Sequence, residues 1–141
     1  MNNITDQLKR DEGICEHAYN DSLGFITIGC GRLIDSRKTS SGLRESEIDY
    51  LLNNDIEDRR FELGRSLKWF HELDDVRQGV LLNMAFQLGV NGLLGFPKML
   101  AAVQKGDWAT AAVEMAASKW FRQTPARADR LALQMKEGVW H

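Results

Sequence analysis

Val76, Val80, Met84 and Leu88 recur at four-residue intervals, and this stripe restricts the fold of the chain more than any other stretch. Side chains so spaced lie on one face of an α-helix, and an apolar face of that length has to be buried against other elements. The sequence downstream supplies them. Leu93-Leu94-Gly95-Phe96-Pro97 predicts a turn into a helix carrying Met99, Leu100 and Val103, which Gly106-Asp107 ends. Asp107 can cap a further helix with Trp108, Ala112, Val113 and Ala116 inward. Thr124-Pro125 caps and starts the last helix, with Leu131 and Met135 facing in and Trp140 anchoring the tail.

The first half reads differently. Asn3 is a candidate N-cap for a short helix with Ile4 and Leu8 on one face, ending near Glu12-Gly13. Residues 14–20 and 25–28 read as strands, because Phe25-Ile26-Thr27-Ile28 is β-branched or aromatic and Asn20-Asp21-Ser22-Leu23-Gly24 is turn chemistry. A polar loop is expected over Asp35-Ser36-Arg37-Lys38-Thr39-Ser40-Ser41-Gly42. From about Arg44 a helix of some twenty residues follows, with Ile48, Leu52, Ile56 and Leu63 on one narrow face amid acidic and basic neighbours. So narrow a stripe suits an element connecting two lobes. The expected fold is α+β and mostly helical: a small β-hairpin lobe, a long connecting helix and a helical C-terminal lobe, with a cleft between the lobes. The lobe bounds are approximately 13–60 and 61–141, plus the N-terminal helix 3–12.

Length and charge limit the functions open to this fold. A chain of 141 residues is typical of one domain. Residues 1–65 carry nine Lys and Arg against thirteen Asp and Glu, and residues 66–141 nine against seven. Neither half has the basic excess of a nucleic-acid binder. No run of eighteen apolar residues exists, so no membrane-spanning segment is expected, and the N-terminus lacks the pattern of a secretory signal. Synthesis in a cytoplasm, as a monomer, is the expectation. His17, His71 and His141 are scattered and predict no metal site, and no cofactor is implied. A hairpin turning at Ser22-Leu23 would pair residues whose numbers sum to 45, setting Cys15 opposite Cys30. A disulfide is then possible in favourable geometry, although free thiols are the rule in a reducing cytoplasm.

Two acids stand out for their setting. Glu12 falls at a helix end and Asp21 in a turn nine residues later. A protonated carboxyl that serves a leaving oxygen, facing an ionised one that steers water, is the machinery of glycoside hydrolysis. Among twenty acidic residues such a pair is unspecific by itself. Its company is more telling: eight residues separate Glu12 from Asp21, five separate Asp21 from Thr27, and Ile28-Gly29-Cys30-Gly31 follows. This pattern resembles the signature of the phage-type lysozymes (muramidases), most closely their T-even type. Asn83-Met84-Ala85-Phe86-Gln87-Leu88-Gly89 is similar to that family's central helix. Ala112-Val113-Glu114 through Ser118-Lys119-Trp120 and Gln123 through Arg130 are similar to its closing helices, and Gly138-Val139-Trp140 to its tail.

The resemblance implies a lysozyme-like fold and roles for particular residues. Glu12 would be the general acid, Asp21 would orient or activate water, and Thr27 would hold that water from the opposite strand. Leu33 and Phe86 match cleft-lining positions. Arg127 matches an arginine near the catalytic glutamate, and Asp11 with Arg130 a buried acid–base pair. Arg32 stands where the family usually has His, and Asp55 matches that histidine's partner, so an Arg32–Asp55 ion pair is expected. Between Arg32 and Arg44 the chain is shorter than the T-even type. Met99 and Glu114 replace polar positions on the substrate side, so no role passes to them. The implied substrate is the peptidoglycan glycan strand, cut by hydrolysis with inversion. A lytic transglycosylase acting on the same bond and a non-catalytic glycan-binding module remain open beside it. Without a signal peptide, such an endolysin would reach the wall through a holin pore or a secretion machine.

Overall fold

The structure, a computed structural model, describes residues 3–34 and 42–141, apart from the side chains of Ile4, Gln7, Leu8 and Glu12. The polar loop expected from residue 35 therefore lies, Gly42 excepted, outside the described residues, as does the expected Ile4/Leu8 stripe. The chain forms two compact units, 1–51 and 52–141.

In the first unit, helix α1 (Ile4–Glu12) starts where expected: the Asn3 Oδ1 accepts the Asp6 N–H at 2.9 Å. It stops at Gly13, whose φ of 77° is open to glycine and costly for other residues. Strands β1 (Cys15–Asn20), β2 (Ile26–Gly29) and β3 (Arg32–Leu33) form an antiparallel sheet in the order β1-β2-β3. The two-residue β3 has too short a pattern to be read from sequence. It forms because Gly29 and Gly31, with φ of 69° and 72°, fold the chain straight back.

The hairpin register corrects the expected one. Tyr19 pairs with Thr27 and Asn20 with Ile26, but Cys15 pairs with Gly29. Four steps along β1, from 15 to 19, therefore match two along β2, from 27 to 29, and the surplus is a bulge. A single pairing sum cannot hold across a bulge. Cys30 consequently lies past the strand end, and both cysteines are free.

Helix α2 (Glu45–Ser66) carries the chain from the first unit into the second. Of its expected stripe only Leu63 is fully buried; Ile56 is half-buried, and Ile48 and Leu52 are exposed. The core of the second unit begins there and continues through Phe70, Val80, Leu81, Met84, Leu93, Met99, Val103, Met115 and Met135. Helix α3 (Asp75–Leu94) is the expected core helix, capped by Asp74, and it runs on past Leu88 through a break at Gly89. With φ 74° and ψ 163°, Gly89 leaves helical geometry for one residue and lets the axis bend. Helices α4 (Pro97–Gln104) and α5 (Trp108–Ala116) follow, with Asp107 capping α5 through the Thr110 N–H at 3.2 Å.

The inward face of α5 differs from expectation. Ala111 and Met115 are buried and Trp108 and Ala112 pack beside them, whereas Val113 is 63% exposed and Ala116 is exposed. The 108-111-112-115 spacing is itself a helical stripe, and long, adaptable Met115 fills the core better than Val113 would. A short helix α6 (Lys119–Gln123) is capped by Ser118. Thr124 precedes α7 (Pro125–Glu137) without capping it by its side chain; its hydroxyl instead donates to the Trp120 carbonyl at 3.2 Å. Pro125 needs no donor partner in that first turn.

Arg77 ties three of these helices together. From the first turn of α3 its Nε donates to the Met135 carbonyl at 2.9 Å and its Nη2 to Lys136 at 3.3 Å, at the C-terminal end of α7. Its Nη1 meets Asp74 at 3.0 Å, and the guanidinium lies 4.1 Å from the centre of the Trp108 ring on α5. Only 13% of the side chain is exposed. A cation satisfying the last carbonyls of a helix and stacking on Trp combines two stabilising effects. Arg77→Ala is expected to lower unfolding stability by about 3 kcal/mol, read as a lower urea midpoint. Arg77→Lys is expected to restore only part of it, because an ammonium lacks the planar fork. A midpoint unchanged in Arg77→Ala would contradict this role. Trp140 lies against Gly79, where a methyl group would sit about 2.5 Å from the indole, yet most of the ring remains exposed.

Candidate active site

Glu12 is the last residue of α1, and Gly13 directs the chain from there into β1. Asp21 sits at the hairpin tip, where its Oδ1 accepts the N–H groups of Leu23 at 2.9 Å and Phe25 at 2.8 Å. Its own N–H donates to the Phe25 carbonyl at 2.8 Å, and its carbonyl accepts from Gly24 at 3.0 Å. The carboxylate is thereby locked into the turn through one oxygen. The other, Oδ2, accepts no hydrogen bond among the described residues.

Thr27 is 4% exposed at the centre of β2, between Tyr19 on β1 and Leu33 on β3. Its hydroxyl donates to the Phe25 carbonyl at 3.1 Å. The hydrogen is thus committed, and the oxygen keeps its accepting capacity. Period-two alternation puts Tyr19, Thr27 and Leu33 on one sheet face and carries Asp21 and Phe25 toward the same face at the tip. Asn20, Ile26, Ile28 and Arg32 belong to the other face.

Arg32 does not take the partner expected of it. Its Nη1 and Nη2 grip the two Glu47 oxygens at 2.6 and 2.8 Å, and Nη2 also donates to the Gly42 carbonyl. Glu47 is in the first turn of α2, whereas Asp55 lies eight residues, about 12 Å, further along the same helix. Glu47 also accepts the Arg44 N–H and side chain, both at 2.8 Å. The Arg32 fork, helped by the Arg44 N–H, holds the Glu47 carboxyl at about 2 rather than the ordinary 4.5. A lowered value means the clamp is complete above about pH 4.5 and is lost as pH falls through about 2. The native melting temperature is expected to fall more steeply across that window than that of Glu47→Gln. Equal slopes would contradict the clamp.

The remaining expected site residues are divided between the two units. Leu33 pairs with Thr27. Asp11 is bound by its exposed chain neighbour Arg10 at 2.6 Å, a pairing that needs no folding. Arg130 and Asp55 are exposed. In the second unit Arg127 is fixed to Asn83: its Nε and Nη2 donate to Oδ1 at 2.8 and 2.6 Å, and Nη2 to the backbone carbonyl at 3.2 Å. Phe86, 39% exposed, shares with Asn83 and Arg127 a mainly apolar groove of about 370 Å³, with Leu82 and Trp140 also on its walls. Asn83 and Glu47 are the partners that sequence reasoning missed. Asn83 lay inside the quoted central-helix motif, where an arginine elsewhere could have been sought for it.

A family model for phage lysozymes matches residues 9–133, from the last turns of α1 to the middle of α7. The chain belongs to the phage lysozyme family. Probable T4-type lysozymes 1 and 2 of Dictyostelium discoideum are each 31% identical to it over 164 aligned residues, covering 99% of this chain and 96% of theirs. That alignment is longer than the 141-residue chain, so these relatives carry residues this lysozyme-family chain lacks. The pre-baseplate central spike protein Gp5 of Enterobacteria phage T4 is also 31% identical, over 96% of this chain but only 28% of Gp5. The described architecture, a small antiparallel sheet followed by a mainly helical unit, is a lysozyme-like α+β fold. Membership of the phage lysozyme family implies a glycosidase of the lysozyme class, with peptidoglycan as its substrate class. No single helix among the described residues is long and apolar enough to cross a membrane.

Proposed function

We propose that this protein is an endolysin-type muramidase, hydrolysing the β-1,4 bond between N-acetylmuramic acid and N-acetylglucosamine in peptidoglycan. Glu12 gives its proton to the glycosidic oxygen. Asp21 and Thr27 hold the water that attacks the anomeric carbon from the other side, and Asp21 takes the proton that water loses. Leu33 and Phe86 contact the glycan, while Arg127 supports the site.

The observation that carries this reading is the state of the two oxygens on the hairpin. Asp21 Oδ2 and Thr27 Oγ1 both remain acceptors, because Oδ1 and the Thr27 hydrogen are already engaged. Asp21 stands opposite Phe25 and diagonal to Thr27, a relation that separates Cβ atoms by about 7 Å, a span one water can bridge. A water giving one hydrogen to each acceptor keeps a lone pair for the sugar. This arrangement supports hydrolysis over lytic transglycosylation, which needs no bound water.

Action on the wall after release through a holin pore or a secretion machine belongs to the same proposal. It is tested by digesting purified sacculi with the native protein and weighing the soluble fragments. Expected are muropeptides with a reducible N-acetylmuramic acid end. Anhydromuramyl ends would assign transglycosylation, and binding without release would assign a glycan-binding module.

A further inference from the structure

The geometry points to a redox-controlled staple: Cys15 and Cys30 close an intramolecular disulfide across the hairpin when the chain meets an oxidising environment. Cys15 pairs with Gly29, and Cys30 is the next residue. An antiparallel partner stands about 5 Å away and the residue beyond it one strand rise further, which brings the two cysteine Cα atoms to about 6 Å, within bridging range. Strict alternation would aim Cys30 at the opposite face. Gly29 and Gly31, both at positive φ, end that alternation on either side of Cys30. Gly29 offers no side chain in the way, and the place its Cβ would occupy is open space. Both thiols are free, Cys15 half-buried and Cys30 exposed.

The location gives the bond a purpose. The register is broken between Cys15 and Tyr19, so in the described pairing the Cys15–Gly29 contact holds the first half of β1 to β2. Cys15 follows Glu12 by three residues and Cys30 follows Thr27 by three. A bond here joins the segment leaving α1 to the end of β2, beside the break in register. In a reducing cytoplasm both stay thiols.

A small-molecule disulfide such as oxidised glutathione is the oxidant. The Cys30 thiolate attacks one of its sulfurs, the S–S bond breaks, and the departing thiolate takes the proton Cys30 gave up. The Cys15 thiolate then attacks Cys30 Sγ in the mixed disulfide and releases the second glutathione as a thiol. Two cysteines are oxidised by two electrons in all, and one small disulfide is reduced to two thiols.

The test treats reduced full-length protein with oxidised glutathione and follows it without reductant. Expected are a monomer lighter by two hydrogens, loss of both alkylatable thiols, a Cys15–Cys30 cross-linked peptide, and a melting temperature raised by roughly 5 °C that dithiothreitol reverses. Cys15→Ser and Cys30→Ser, mild changes at accessible positions, should each stop at a glutathione adduct with no such rise. Native protein that keeps both thiols, stops at the mixed disulfide, dimerises through Cys30 or closes without a melting shift would overturn the staple. None of these readouts depends on activity toward peptidoglycan.

Discussion

Glu12→Gln is expected to reduce cleavage of peptidoglycan by about 10²- to 10⁴-fold while leaving binding of the polymer nearly unchanged. Glutamine keeps the size and the hydrogen-bonding reach of glutamic acid but has no acidic proton to give. The glycosidic oxygen must then leave as an alkoxide or take its proton from solvent. Because the residue ends α1, where Gly13 stops the helix, the amide disturbs no cap: the C-terminal residue supplies backbone carbonyls and its side chain is not required for the stop. The expected profile is a collapsed kcat with little change in KM or melting temperature. Activity within tenfold of native would remove Glu12 from the mechanism.

Asp21→Asn is expected to lose a similar factor by another route, and it separates the two tasks of one side chain. As a turn residue, Asp21 uses Oδ1 to accept from Leu23 and Phe25. Asparagine retains a carbonyl oxygen for both bonds, so the hairpin tip should persist and stability should change by less than about 1 kcal/mol. The Oδ2 position becomes an NH₂ group, a donor where the proposed water needs an acceptor. That water can then neither keep its orientation nor pass on its proton, and hydrolysis falls by about 10²- to 10⁴-fold. Asp21→Ala should lose activity and also leave two backbone donors without their partner, at about 1–3 kcal/mol. Equal stability of the Asn and Ala variants would show that the carboxylate does not hold the turn. Full activity in Asp21→Asn would show that it does not handle the water.

Local rules made much of this molecule legible. Asn3 and Asp107 each receive the N–H three residues ahead, and Gly13 terminates a helix at positive φ. These interactions involve neighbours in sequence, so residue type and spacing suffice to predict them. The Val76/Val80/Met84/Leu88 stripe worked for the same reason, with Val80 and Met84 fully buried. Reasoning failed where distant segments chose among equivalents. Either Glu47 or Asp55 could satisfy Arg32 by charge, and only the meeting of β3 with the first turn of α2 selects Glu47. The β1 bulge was invisible because two surplus residues alter no composition or period that a six-residue strand can display. The inward face of α5 was ambiguous because alanines lie on every side of it, leaving Met115 and the neighbouring helices to decide. The spacing of Asp21 and Thr27 was legible as a motif; the hydrogen bonds that leave each with an open acceptor were not.

The central claim is that water held between Asp21 and Thr27 displaces the sugar in a single step. The most direct measurement is proton NMR of the first anomer formed as native protein cleaves a soluble peptidoglycan oligomer in ¹⁸O-labelled water. The account predicts the α-anomer first, inverted from the β-linked substrate, with one ¹⁸O at the new reducing end. The β-anomer appearing first, or a product with no ¹⁸O at that end, would contradict it.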